Sequence, residues 1–244
     1  IIAARAKERH AREQAEYDAK VAAREARTAA TGKKPGGRPP TPPVAEPGPT
    51  DQVNLTDEES RIMPVPGGGF EQCYNAQAAV AAGSLLVVAT DVVQASNDKQ
   101  QVVPMLDKLD KLPDEWGTIE TLLADTGYFS EANVQACVTA KIDPLIAMGR
   151  QPHHPPLAER FAPAPPPPDN PTPLAAMAHR LKTPEGRALY ALRKHTPEPV
   201  FGIIKAALGF RQFLLRGLNN VRGEWNLVTM AYNVKRLFAL AAAA

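Results

Sequence analysis

Three acidic side chains, Asp57, Asp125 and Glu198, are of a type and in a setting that could work on phosphate. Glu198 lies in TPEGRALYALRKHTPEPVFGIIKAALGF, residues 183 to 210, with Tyr190, Arg193 and Lys194 before it and Lys205 after it. Guanidinium and ammonium groups bind phosphate oxygens, so this carboxylate is bracketed by anion-binding side chains. Carboxylates are hard oxygen ligands that suit Mg²⁺, with Mn²⁺ as a substitute. Two such ions could clamp the attacking and leaving oxygens of an in-line phosphodiester displacement. For that, the three carboxyl groups should approach within roughly 4 to 7 Å, given ligand bonds near 2 Å.

Each acid also has a plainer reading. Thr196-Pro197-Glu198 is an ordinary helix start, with a hydroxyl cap, proline at the first helical position and an acid against the positive end of the dipole. The same triplet occurs at Thr183-Pro184-Glu185. Asp57 sits in Thr-Asp-Glu-Glu, which could open a helical turn, and a small slip of register would offer Glu58 or Glu59 instead. Asp125 could serve the turn before Gly127.

Strands and helices must carry these groups. Val200, Ile203, Ile204 and Ala207 recur at helical spacing, with Gly209 as a stop, so Glu198 falls in a first turn. Val53 to Asp57 is a candidate strand ending in an acid. Residues 73–82 and 85–94 have strand composition and are joined at Gly83-Ser84, a Gly-first turn suited to a tight hairpin, which completes a three-stranded meander. Ser96-Asn97-Asp98 is expected to cap a helix with Val102, Val103, Leu106, Leu109 and Leu112 on one face. Ile119 to Ala124 reads as a strand ending at Asp125, Ser130 as the start of a helix through Ala140, and Pro144 to Met148 as one more strand. The expected fold class is therefore α/β, a mixed sheet with helices packed on it. Acids at adjacent strand ends can meet on one sheet edge, where ligands of α/β folds commonly bind.

Composition sets the domain plan. Residues 1–31 are rich in Ala, Arg, Glu and Lys with few large apolar side chains, which favours a solvated helix. A Pro/Gly linker follows at 32–50 and carries seven prolines. The globular domain is expected over 51–240, interrupted at 151–173 by a flexible insertion with ten prolines, in which His153-His154 reads as solvated loop. The net charge of +2 hides a segregation: residues 39–173 carry seven Lys or Arg against eighteen acids, and residues 174–244 carry eleven against three. That basic quarter is a polyanion-binding candidate through Arg193, Lys194, Lys205, Arg211, Arg216, Arg222, Lys235 and Arg236. The interleaved aromatics Phe210, Phe213, Trp225 and Tyr232 read mainly as helix core. Cys73 and Cys137 are too few for a disulfide framework or a cysteine zinc site, which fits a reducing cytoplasm. No apolar run reaches transmembrane length, and Gly67 to Gly69 lack the lysine and spacing of a phosphate loop. A chain that begins Ile1-Ile2 is expected to be a fragment of a longer protein.

NLTDEESRIM at 54–63, YNAQAAV at 74–80, Asn97-Asp98, LLADTGYFSEANV at 122–134, RKHTPEPVFGIIK at 193–205, GFRQFLLRGL and EWNLVTMAYNVKRL together resemble a bacterial insertion-sequence transposase of the DDE class. The resemblance runs from about residue 15 to 240. It implies a ribonuclease-H-like catalytic domain in which Asp57, Asp125 and Glu198 bind divalent metal for DNA cleavage and strand transfer. It implies double-stranded DNA as partner, at element ends and target, with a homodimer in synapsis and a nucleoid-associated cytoplasmic setting. A Tyr, Arg, Glu, Lys signature falls on Tyr190, Arg193 or Lys194, Glu198 and Lys205. DNA contacts are then expected at Tyr190, Arg193, Lys194, Lys205, Arg211 and Arg216. Pro197 departs from the β-branched residue usual before the glutamate, Cys73 stands for a small residue, and Ala81-Ala82 stands where an acid often follows. These departures make a non-catalytic DNA-binding remnant of a truncated or degenerate transposase the alternative, with a structure-specific nuclease as a third reading.

Overall fold

The computed structural model describes residues 1–34, 36–49, 51–65, 67–149 and 165–242. His153, His154 and the rest of 151–164 in the proline-rich segment lie outside these. The chain divides into two compact units, residues 1–58 and 59–244.

In the first unit, α1 (Ile2–Thr31) buries only Ala6, as expected of a helix with so few large apolar residues. It ends at Gly32, whose φ of 67° allows its N–H to reach Thr28 O. Arg9 Nη1 donates to Asp51 Oδ1 at 2.5 Å, and Asp51 Oδ2 accepts from the Gly48 amide at 2.8 Å. The Arg9 hydrogen bond and then the Gly48 amide hold the Asp51 carboxyl below its ordinary value. The strand expected over 53–57 does not form. Asn54 Oδ1 accepts from the Thr56 amide at 2.9 Å, a local turn that takes a backbone donor a strand ladder would need.

The second unit is mixed α/β with small sheets. Strands β1 (Arg61–Pro64) and β2 (Phe70–Cys73) pair antiparallel, as do β3 (Asn75–Val80) and β4 (Val87–Val93), while β5 (Thr121–Ala124) and β6 (Asp143–Ile146) pair in parallel. Helices α2 (Val102–Leu109) and α3 (Glu131–Thr139) flank β5 in sequence. After the proline-rich segment come α4 (Pro173–Arg180), α5 (Pro184–Ala191), α6 (Pro197–Ala206) and α7 (Leu218–Ala241). Among the described residues, no helix is long and apolar enough to cross a membrane.

Three expectations change here. The β3–β4 connection is wider than a tight hairpin: the Ala81 amide bonds Leu86 O, the Leu85 amide bonds Ala81 O, and Leu85, with φ 60°, takes the left-handed position in place of Gly83. Tyr232 Oη holds that residue by donating to Leu85 O at 3.0 Å. The three-stranded meander does not form, since β3 and β4 pair only with each other and β1 pairs with β2 in a separate ribbon. Finally, α2 starts at Val102 with Gln101 as its unbonded cap, because the side chain of Asp98 is engaged with β3.

The main core joins the β3–β4 ribbon to α6 and α7 through Val87, Val92, Val200, Ile204, Val221, Trp225 and Tyr232. Phe201 stacks on Trp225 at 5.6 Å, and Phe210 and Phe213 pack around the same ring, so these aromatics are core, as read from the sequence. Side chains meet the backbone of β4. Asn233 bonds both the amide and the carbonyl of Val87, Lys108 Nζ donates to Thr90 O, and Arg222 Nε donates to Val92 O. Two smaller clusters, Val102–Leu106–Cys137–Ile142 and Ala124–Val134–Ile146–Met177, pack α2, α3 and α4 around the β5–β6 pair. The β6 run is almost continuously buried, the pattern of a parallel strand covered on both faces.

Candidate active site

Strand β5 delivers Asp125 to its C-terminal end, where the carboxylate caps a single 3₁₀ turn, Thr126–Tyr128, by accepting from the Gly127 amide at 2.8 Å. The turn role read for this acid is thus real. It leaves the side chain exposed at a strand end.

Asp98, which sequence reasoning treated as a helix cap, is its neighbour. A Cβ placed on Gly127 would lie 3.0 Å from Asp125 Oδ1 and 3.4 Å from Asp98 Oδ2, so the two carboxylates flank the same glycine. Asp98 is aimed there by β3. Asn75 Nδ2 donates to its Oδ1 at 2.7 Å and Gln77 Nε2 at 2.8 Å. Asn75 and Gln77 are two apart on a strand and share a face, which is why both reach one carboxylate. The buried Gln77 also accepts from Tyr128 Oη at 2.5 Å, and its backbone carbonyl accepts from Trp225 Nε1 at 3.0 Å. Burial, with Asp98 and Asp125 adding, pushes the Tyr128 phenol well above its ordinary value and keeps it a neutral donor. The signal that could have found Asp98 is the alternation of Asn75 and Gln77 within YNAQAAV.

Glu198 enters in the first turn of α6, with Pro197 at the first helical position. The hydroxyl cap expected of Thr196 is absent, because its Oγ1 donates to Leu192 O at 2.6 Å. The same triplet at Thr183 does cap: Thr183 Oγ1 accepts from the Gly186 amide at 3.0 Å. Glu198 is exposed and lies 3.7 Å from Arg193 Nη1, whose guanidinium sits 5.8 Å over the Tyr190 ring. Tyr190 Oη in turn donates to Ala124 O at 3.3 Å, one residue before Asp125. Burial raises the Tyr190 phenol, Arg193 opposes that, and Asp125 adds to it. The ring therefore ties the segment carrying Glu198 to the strand end carrying Asp125. Of the two rival bases, Arg193 is the one that meets Tyr190 and Glu198.

The other sequence-picked residues are distributed as follows. Lys205 is exposed two turns beyond Glu198, on the face opposite Val200 and Ile204. Lys194 is exposed in the turn before α6, and Arg211 and Arg216 are exposed in the loop before α7. Arg222 and Arg236, also offered for DNA, are spent inside the fold on Asp91 and on Ser84 O. Glu59, a rival to Asp57 by register, caps α7 by accepting from the Leu218 amide at 2.7 Å. Asp57 itself belongs to the first unit. Among the described residues, no three His, Cys, Asp or Glu side chains gather closely enough to hold a metal ion. The Asp98–Asp125 pair nevertheless suits Mg²⁺, which commonly takes one or two carboxylates and fills its shell with water and substrate phosphate.

Residues 169–238 match a family model described as Transposase DDE domain. That stretch takes in α4 to α6 and most of α7, with Tyr190, Arg193 and Glu198, and the match supports a DDE-class transposase. No curated protein and no solved structure matches the chain.

Proposed function

We propose that the chain is the catalytic domain of a DDE transposase on a ribonuclease-H-like fold, cleaving and joining DNA at insertion-sequence ends by in-line phosphodiester displacement. The observation that carries this reading is the bond from Tyr190 to Ala124 O, which brings the family-matched segment with Arg193 and Glu198 onto the strand end of Asp125. Asp57, Asp125 and Glu198 are the acids the family resemblance assigns, and Asp98 stands with Asp125 beside Gly127. Asp98 and Asp125 would hold Mg²⁺ or Mn²⁺, which supplies charge neutralisation at the phosphodiester and an activated oxygen nucleophile. Asn75 and Gln77 fix the Asp98 carboxylate, so little rotamer freedom is lost when a cation binds there. Arg193 pairs with Glu198 and so orients it. Lys194, Lys205, Arg211 and Arg216 would bind the DNA backbone, and a synaptic homodimer would bring two ends together.

A second reading, a DNA-binding remnant, draws on the exposed Glu198 being tied to Arg193 and on the lack of a three-acid cluster among the described residues. Nicking and binding of plasmid DNA carrying the element's terminal repeats separate the two. Asp125→Asn should abolish Mg²⁺-dependent nicking and leave salt-sensitive binding within about twofold of wild type. A wild-type chain that binds but never nicks would establish the remnant. Asp57→Asn and Asp98→Asn assayed alongside tell which acid partners Asp125, and product analysis for joined strands tests the nuclease reading.

A further inference from the structure

Helix α7 has a second apolar face. Its inner side places Val221, Trp225 and Tyr232 in the main core. On the opposite side Leu227, Met230, Val234 and Leu237 recur at intervals of three, four and three, each more than half exposed, with Phe238 at 79% beside them. That spacing is the a/d seam of a left-handed coiled coil, which places its knobs against a like-spaced helix. The outward face of a surface helix is ordinarily charged, whereas this one carries no Lys, Arg, Asp or Glu along the stripe.

Three of the four charges on α7 are engaged elsewhere, and the fourth, Lys235, is exposed on the flank of the stripe. Arg222 is bound to Asp91, Arg236 to Ser84 O, and Glu224 to the amides of Leu214 and Leu215. The Glu224 bonds hold the half-exposed Leu215 beside the stripe. There Leu215, Leu227 and Met230 form the apolar side of an open groove that runs past Gly223, with Asn219, Asn220, Asn226 and the amide-bound Glu224 as its polar side. Such a hole accepts a large apolar side chain from outside.

We propose that this stripe is a homodimer interface, formed by α7 of two copies packed seam to seam. The stripe itself carries no charge to meet phosphate or a charged partner, and a two-fold contact needs only that the patch complement itself. At on the order of 100 Å² of apolar surface per large side chain, six such residues from each copy remove roughly 1,000 Å² from water, the lower limit for a specific interface. The inference does not depend on the proposed reaction, since association is measured without DNA.

The test is sedimentation equilibrium of the full chain over a concentration series, with Leu227→Glu and Val234→Glu variants. Wild type should associate to a dimer, and each charge should weaken association by on the order of 100-fold or more while far-UV dichroism and Trp225 fluorescence stay unchanged. In a Cys73→Ser background, Val234→Cys should crosslink under mild oxidation. A wild type that remains monomeric at the limit of its solubility overturns the proposal. So does a dimer that survives both charges, or a monomer whose DNA binding, and nothing else, is lost on Leu227→Glu.

Discussion

Gly127 is small for a reason that concerns its neighbours. With Asp125 Oδ1 3.0 Å and Asp98 Oδ2 3.4 Å from where a Cβ would sit, Gly127→Ala should push the two carboxylates apart by a few tenths of an ångström. Nicking should fall by about tenfold or more with thermal stability nearly unchanged, since positioning errors of this size matter more to chemistry than to folding. Arg193→Ala should free Glu198 and lower activity, whereas Lys194→Ala should lower DNA affinity alone, because only the arginine meets both Tyr190 and Glu198. Steady-state nicking rates against binding isotherms distinguish these. Tyr128→Phe leaves the buried Gln77 oxygen without its donor and should cost about 1–3 kcal/mol by denaturant unfolding. Its phenol is raised in the fold, so it stabilises fully below the unfolded value near 10, and that contribution fades as pH climbs above 10. The phenylalanine variant should therefore lose less stability than wild type in alkaline titration.

Among elements, those with a clear period were legible and those decided by one local bond were not. The strand composition of 73–82 and 85–94 and the apolar run at 119–124 correspond to strands at 75–80, 87–93 and 121–124. Ser130 starts its helix by accepting from the Asn133 amide, as its type and place suggested. Val53 to Thr56 has strand composition too, yet Asn54 bonds its own neighbourhood and no ladder forms. Asp98 and Thr196 share one lesson. Both are good capping residues by type, but a distant partner in the first case and Leu192 O in the second give their side chains better use. Asp125 and Glu198 stand in motifs that drew them out of the sequence as candidates, while the Asp98–Asp125 approach depends on long-range packing that no local pattern encodes. Gly186 has a similar standing: a Cβ there would lie 1.9 Å from Arg180 O, so Gly186→Ala should separate α4 from α5 and lower the melting temperature by several degrees.

At the scale of the molecule, the segregated charge should govern how DNA is held. If Lys194, Lys205, Arg211 and Arg216 each neutralise one phosphate, every alanine substitution among them should reduce the slope of log affinity against log salt by about 0.9. Arg222→Ala should leave that slope alone and destabilise the fold, because its partners are Asp91 and Val92 O. In the first unit, the Asp51 carboxyl is held below its usual 3.8, so its bond to Arg9 stabilises at neutral pH and is lost as pH falls through the depressed value. The Gly48 amide resonance should report that release in acid.

The side chains along β4 also bear on what the protein avoids. A strand with a free margin is a template on which another chain can grow in register, the first step towards amyloid-like or amorphous aggregates. Asn233 takes both backbone groups of Val87, Lys108 takes the carbonyl of Thr90 and Arg222 that of Val92, so an incoming strand finds those groups taken. Asn233→Ala should reopen the margin, and the cost would appear less in the folded protein's melting curve than in turbidity and thioflavin signal on prolonged storage.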